Sequence, residues 1–383
     1  IIMEVSEKVK VLQDLIKIHS VNGNEVEVAH YLQKLLASHG IDSKVDEFGD
    51  RRANLIAEIG TGESKKILGL TGHQDTVAVP NLDRWQHDPF GGEISGDYIF
   101  GRGAADMKSG LAAQAIVLIE LKEAGQLPSG TVRFIATAGE ELGTPGAYRL
   151  QKQGIADDLD ALVVGEPTGG NVIFAHSGSM NYRVTSYGKS CHSSHPQNGI
   201  NAIEGLLKFI EEEKHLFDNT KDDQYLGKVQ HSITVIDGGS QVNTIPDSAS
   251  LHGNIRPTAA FNNVKVADRL NDALEYINHT TPFQLELKII QDFYPIATEP
   301  NNDFVQIALN AAQRNYPNDI KLDIINGATD ASVFTLNRPD LPVVILGCDD
   351  WNAAHQNDEY TTISSYVATI KAYKQIIRDF FKE

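Results

Sequence analysis

The run KILGLTGHQDTV, residues 66–77, carries a fold signal and a chemical one. After Lys66 its first half is apolar or small, the pattern of a strand buried on both faces. It then reaches His73 and Asp75, an imidazole and a carboxylate one residue apart. Similar strand-like runs recur at 54–60 (NLIAEIG), 131–139 (TVRFIATAG), 161–167 (ALVVGEP) and 341–347 (LPVVILG). Between them LAAQAIVLIELKEAG, residues 111–125, is apolar at helical spacing. NEVEVAHYLQKLLASH, residues 24–39, predicts an amphipathic helix, with Asn24 as its cap, Glu27 three residues on, and Gly40 to end it. SSYVATIKAYKQIIRDFF, residues 364–381, predicts a closing helix. Strands alternating with helices predict an α/β layer with a mainly parallel sheet flanked by helices.

The middle of the chain reads differently. Strands are expected at 180–188, 229–239, 248–257 and 283–290, and helices at 199–217 and 264–279. A β-α-β-β-α-β order fits a small two-layer α+β unit with its helices on one face. Residues 177–292 are therefore expected to form an inserted domain, and 1–176 with 293–383 the main one.

The chain has 383 residues, 41% of them hydrophobic, enough for a large core and for two domains. Its formal charge is −18. So acidic a chain lacks the basic surface that nucleic acid or an anionic membrane requires, and neither is expected as a partner. The cysteines Cys191 and Cys348 form no CxxC pair, so no disulfide framework is expected. No signal peptide or long apolar run is evident, which predicts a cytoplasmic protein. Ile1 and Ile2 precede Met3, the expected start.

The chemistry-bearing residues collect just past the carboxyl ends of the expected strands. His73 and Asp75 follow one strand, Glu140 and Glu141 another, Glu166 a third, and His355 a fourth. Asp106 lies in GRGAADMKSG. Open α/β sheets form ligand sites along this edge. Taken singly, each has a plain structural role: a satisfied polar histidine, a solvated helix start, a glycine-rich turn. Together the carboxylates would repel one another and raise each other's pKa, a difficulty that a divalent cation removes. Imidazole and carboxylate donors suit zinc. Five candidate ligands with one carboxylate left over suit two metals sharing a bridge. Other chemistries fit less well: there is no GxGxxG after a strand, no phosphate loop and no GxSxG elbow. Cys191 and His192 are neighbours in an extended stretch, where they would face opposite ways.

GHQDTV, GRGAADMKSG, AGEE, GEPT and AHQNDEY, in this order, resemble the motifs of the co-catalytic zinc amidohydrolase and exopeptidase family. That family includes desuccinylases, acetylornithine deacetylases, aminoacylases and glutamate carboxypeptidases. The resemblance runs over nearly the whole chain. It implies a zinc-exopeptidase-like catalytic domain with an inserted dimerisation or lid domain. It also implies two Zn2+ per subunit, replaceable by Co2+ or Mn2+. His73, Asp106 and Glu166 resemble the ligands of one ion, and Asp106, Glu141 and His355 those of the other, with Asp106 as the bridge. Asp75 resembles the carboxylate that orients His73. Glu140 resembles the general base that takes a proton from the bridging water and delivers it to the leaving amine. Glu rather than Asp at position 166 resembles the deacylases and carboxypeptidases more than the aminopeptidases.

In the inserted domain, GKSCHSSHPQNGINAI (188–203) resembles the segment whose histidine, here His192, reaches the partner's active site in family dimers, with His195 as a nearby competitor. Asn243 and Arg256 resemble substrate-binding residues, Arg256 suiting a carboxylate. An inter-strand ion pair is the plain alternative for that arginine. NGATDAS (326–332) resembles the glycine-rich loop opposite the metals, so Gly327 is expected to touch substrate. Likeness to the desuccinylase-like branch implies N-succinyl-LL-2,6-diaminopimelate as substrate. N-acetylornithine, other N-acyl amino acids and dipeptides stay as alternatives. A small anionic N-acyl amino acid and a homodimer through residues 177–292 are the partners this implies. From another class, the rival is a non-catalytic binding protein on the same fold, whose mark would be a missing ligand or a replaced Glu140.

Overall fold

The computed structural model describes residues 3–382, so Ile1 and Ile2 lie outside the described residues. The chain divides into two compact units. The first comprises Ile1–Phe174, Ala297–Asp323 and Thr329–Glu383; the second comprises Ala175–Ile296 and Ile324–Ala328. The short piece 324–328, which carries Gly327, was expected in the main domain and clusters with the second unit.

A mixed sheet organises the first unit. Its strands run in the order Ser43–Phe48, Arg52–Gly60, Thr131–Thr137, Ile67–His73, Ala161–Val164, Val343–Ile345 and Val172–His176. The middle is parallel: Ile67–His73 pairs in parallel with Thr131–Thr137 and with Ala161–Val164, which pairs in parallel with Val343–Ile345. These strands are covered on both faces and their residues are largely buried, which is why they read as unbroken apolar runs. The strands Ser43–Phe48 and Arg52–Gly60 are antiparallel additions at one edge.

The helix Ser109–Glu123 is buried from Ser109 to Leu121 and packs against the closing helix Ile363–Phe380. Its start lies against the strand end that precedes Glu166. A Cβ on Gly110 would come within 1.9 Å of the Gly165 carbonyl, so only glycine allows this approach. The helix Glu25–Ser38 forms where expected, but Asn24 does not cap it. Asn24 has φ +62°, and its side chain donates to the His19 carbonyl and accepts from Arg51. A left-handed cap residue cannot aim its side chain at the first turn's N–H groups, so the expected Asn24–Glu27 capping box is absent. Helices Val5–Lys17, Pro145–Lys152 and Asp303–Asn315 were not anticipated.

The second unit follows the β-α-β-β-α-β order. Its antiparallel sheet runs Gln230–Gly238, Ser248–Arg256, Ser179–Tyr187, Gln284–Phe293. Alternate residues such as Tyr182, Val184, Leu251 and Ile255 join Leu206 and Phe209 of helix Ala202–Glu213 and Val266, Leu270 and Ile277 of helix Asn263–Thr280 in one core. Asn201 and Asn262 cap these helices by accepting from Ile203 N and Lys265 N. Among the described residues, no helix is long and apolar enough to cross a membrane.

Candidate metal centre

Parallel neighbours end on the same side of a sheet, and that arithmetic assembles the centre. His73 closes the strand Ile67–His73, in register with Thr137 on the next strand. Two residues past Thr137 the chain turns at Gly139, whose φ of +75° suits glycine, and enters the turn Glu140–Leu142. Glu166 stands two residues beyond Val164. Asp106 comes from the loop leading into helix Ser109–Glu123, and its peptide bond to Met107 is cis. His355 follows the strand Val343–Ile345 after a short turn, at φ +62°.

The side chains interlock. Asp106 Oδ1 lies 2.9 Å from His73 Nε2, and Asp106 Oδ2 lies 3.1 Å from His355 Nε2. Glu141 Oε1 lies 2.9 Å from His355 Nε2, and Glu166 Oε1 lies 3.4 Å from His73 Nε2. His73, Asp106 and Glu166 are buried, whereas Glu140 and Glu141 are partly exposed and His355 is about half exposed. Their ligand atoms form two overlapping groups that share His73: one with Asp106 and Glu141, the other with Glu140 and Glu166.

The Asp75 carboxylate is buried and holds the acidic turn by its backbone. Its oxygens accept from Glu140 N at 3.0 Å and Glu141 N at 3.1 Å. His73 Nδ1 is closer to the Asp75 main-chain oxygen, at 2.9 Å, than to the carboxylate, at 3.5 Å. Asp75 thus touches His73 through both its main chain and its side chain.

The electrostatics are those of a cation site. Burial raises Glu140 and Glu166 well above the usual carboxylate range; Asp106 adds to the rise at Glu166, and Asp330 and Glu141 to that at Glu140. Burial alone would depress His73, but Glu166, Asp106 and Asp75 raise it well above its ordinary value. Hydrogen bonds to Asp106 and Glu141 push His355 up to about 10. Glu166 Oε2 is buried without a hydrogen-bond partner. Among the described residues, no Lys or Arg pairs with any of these carboxylates. Two imidazoles and several acceptor-only oxygens, short of positive charge, fit divalent metal ions.

Proton release should accompany metal uptake. The metal-free centre holds protons on His73 and His355 at neutral pH because their pKa values are raised, and a metal must displace them. More protons are bound before uptake than after, so zinc affinity is expected to rise with pH from neutrality up to about 10, where His355 loses its proton in the metal-free centre. Calorimetry in buffers of different ionisation enthalpy measures the protons released. Uptake without proton release would contradict these assignments.

Two buried carboxylates escaped the sequence reading. Asp330 is 2% exposed, accepts from Thr137 Oγ1 through Oδ2, and leaves Oδ1 without a partner. Burial pushes it up to about 6. Glu359 is 1% exposed and pairs with Arg102. NGATDAS and AHQNDEY both stood out in sequence, but for Gly327 and His355.

The remaining expected residues belong to the second unit. His192 is exposed, and its Nδ1 lies 2.8 Å from Ser194 Oγ, which also approaches His195 Nδ1 at 2.9 Å. Cys191 Sγ donates to the His195 carbonyl. Asn243 is exposed and accepts from Ser193 N through its main-chain oxygen. Arg256 is half-buried at the end of strand Ser248–Arg256 and makes no ion pair among the described residues. The inter-strand pair allowed for it is therefore absent.

Residues 69–379 match the sequence model of peptidase family M20/M25/M40. A curated Staphylococcus aureus protein named "Probable succinyl-diaminopimelate desuccinylase" is 35% identical over 98% of both chains. The crystal structure of aminopeptidase PepT from Bacillus cereus superposes with a TM-score of 0.80 at 22% identity, covering all of both chains. That of a dinuclear metal-binding peptidase of the M20 family from Bacillus subtilis gives 0.74 at 17% identity, over 98% of each chain.

Proposed function

Because the chain belongs to peptidase family M20/M25/M40 and is a metal-dependent amidohydrolase, we propose that it cleaves N-succinyl-LL-2,6-diaminopimelate to succinate and LL-2,6-diaminopimelate. The observation that carries the chemistry is Asp106, whose two oxygens reach the imidazoles of His73 and His355. In this reading His73, Asp106 and Glu166 hold one zinc ion, and Asp106, Glu141 and His355 hold the other. Bound there, such ions polarise an amide carbonyl and acidify water. Glu140 accepts the proton of the attacking water and passes it to the leaving nitrogen. Burial raises Glu140 well above the usual carboxylate range, against the pull of His73, and so strengthens it as a proton acceptor. Asp75 holds the Glu140–Glu141 backbone and sets where both carboxylates point.

Two observations support the succinyl substrate: the name of the 35% identical relative, and the unpaired, half-buried Arg256. A guanidinium matches a carboxylate with two parallel hydrogen bonds. Asn243 and the Gly327 backbone are the proposed polar partners for the rest of the substrate. Zinc-loaded protein is expected to hydrolyse N-succinyl-LL-diaminopimelate in preference to N-acetylornithine, other N-acyl amino acids and dipeptides. A preference for one of the latter would keep the two-metal chemistry and replace the substrate. No turnover on any of them, with metal bound, would replace the substrate with an acyl group outside this panel, whereas protein purified without chelator and free of metal would favour the binding-protein alternative. With the succinyl substrate we propose a cytoplasmic role in diaminopimelate and lysine synthesis.

The same proposal includes a homodimer through the second unit, with His192 acting at the partner's centre. In support, the edge strand Gln230–Gly238 leaves Val235 and Ile236 52% and 56% exposed. Mixing inactive His192→Ala and Glu140→Ala chains is then expected to restore part of the activity. No recovery, with subunit exchange demonstrated, would refute the action in trans.

A further inference from the structure

We propose that Glu359 is a positioning residue that fixes the bridging carboxylate of Asp106, which the two-metal reading above presupposes. Its Oε1 accepts from three backbone donors: Gly103 N at 3.1 Å, Ala105 N at 3.0 Å and Asp106 N at 3.0 Å. Its Oε2 accepts from Arg102, and its main-chain oxygen accepts from Gly101 N at 2.8 Å. One residue therefore clasps the whole loop from Gly101 to Asp106. Convergent N–H groups on one buried anionic oxygen fix backbone direction more tightly than any single bond.

The clasp also joins the two loops that supply the metal donors. Glu359 lies four residues after His355, and the following strand, Tyr360–Thr362, pairs with Tyr98–Phe100 just before the Asp106 loop. Its neighbour Asp358 fastens the same segment on another side, accepting from Gln86 N and His87 N at 2.9 Å each. Arg102 completes the arrangement by lying 5.2 Å over the Trp85 ring. The Asp106 and His355 side chains, 3.1 Å apart, thus hang from a single frame whose centre is the Glu359 carboxylate.

The plain alternative is that Glu359 serves only to neutralise the buried Arg102. Two substitutions separate the roles. Glu359→Gln keeps an acceptor oxygen for the three N–H groups, while Glu359→Leu removes it. Both remove the negative charge beside Arg102, which keeps its hydrogen bond to the Gln356 carbonyl. The full-length metal-free chain is titrated with Zn2+ against a chromogenic chelator, and the absorption spectrum of the Co2+-loaded chain is recorded. Glu359→Leu is expected to lose roughly 10- to 100-fold in Zn2+ affinity and to alter the Co2+ spectrum. Glu359→Gln is expected to keep most of the affinity and the wild-type spectrum, with a similar fall in thermal stability. Equal losses in both variants, or none in either, would overturn the proposal while leaving the two-metal reading in place. A wild-type chain that takes up no Zn2+ would overturn both. If Glu359→Leu does not fold, the comparison is repeated on an Arg102→Met background, where no charge is stranded.

Discussion

Glu140→Gln is expected to lower kcat by about a hundred- to ten-thousand-fold, with metal content and KM near wild type. The size follows from the work assigned to this group, one proton taken and one returned per turnover. The unchanged metal content follows from geometry. The Asp106, Glu141 and Glu166 carboxylates lie within 3.4 Å of a centre histidine, and no such pairing involves Glu140. A competing assignment exists, since Glu140 also falls in one of the two possible ligand groups, with His73 and Glu166. Under that assignment the amide would lose an ion as well as activity. Metal analysis of the purified variant therefore distinguishes a base from a ligand. Near-normal turnover would exclude both roles. The backbone of the turn is not at risk, because Asp75 binds the Glu140 and Glu141 N–H groups, which the substitution leaves in place.

How much of this was legible before the fold was known depends on how locally each feature is encoded. The central strands were, because a parallel strand covered on both faces must be apolar along its length, as Ala161–Val164 is. So was the gathering of His73, Asp106, Glu141, Glu166 and His355, since parallel strands deliver their carboxyl ends to one edge. The Asn24 cap failed because the residue identity suits a cap while its backbone turned left-handed to meet Arg51. Asp75 was expected to orient His73; its further role as acceptor for two N–H groups of the Glu140 turn depends on a contact across 65 residues. Glu359 shows the limit most sharply. In sequence it is one more acidic residue in NDEY. Only the fold brings it to N–H groups more than 250 residues away, so no spacing rule could single it out.

Asp106→Ala is expected to remove both ions together and to reduce turnover to background. Each of the other proposed ligands serves one ion, so Glu166→Ala should leave one site occupied and His355→Ala the other. Asp106 differs because its two oxygens face opposite imidazoles, at 2.9 and 3.1 Å. Removing it also removes the negative charge that lets two cations stand close together, so the loss exceeds that of one ligand. The fold should survive the substitution, because among the described residues the Asp106 side chain bonds only the two histidines while its backbone N–H stays on Glu359. Metal stoichiometry by atomic emission, read beside kcat for the three variants, tests the bridge directly. One tightly held ion in Asp106→Ala would show two independent sites instead. Loss of both ions there, with one retained in each of the other two variants, is the pattern that only a shared carboxylate produces.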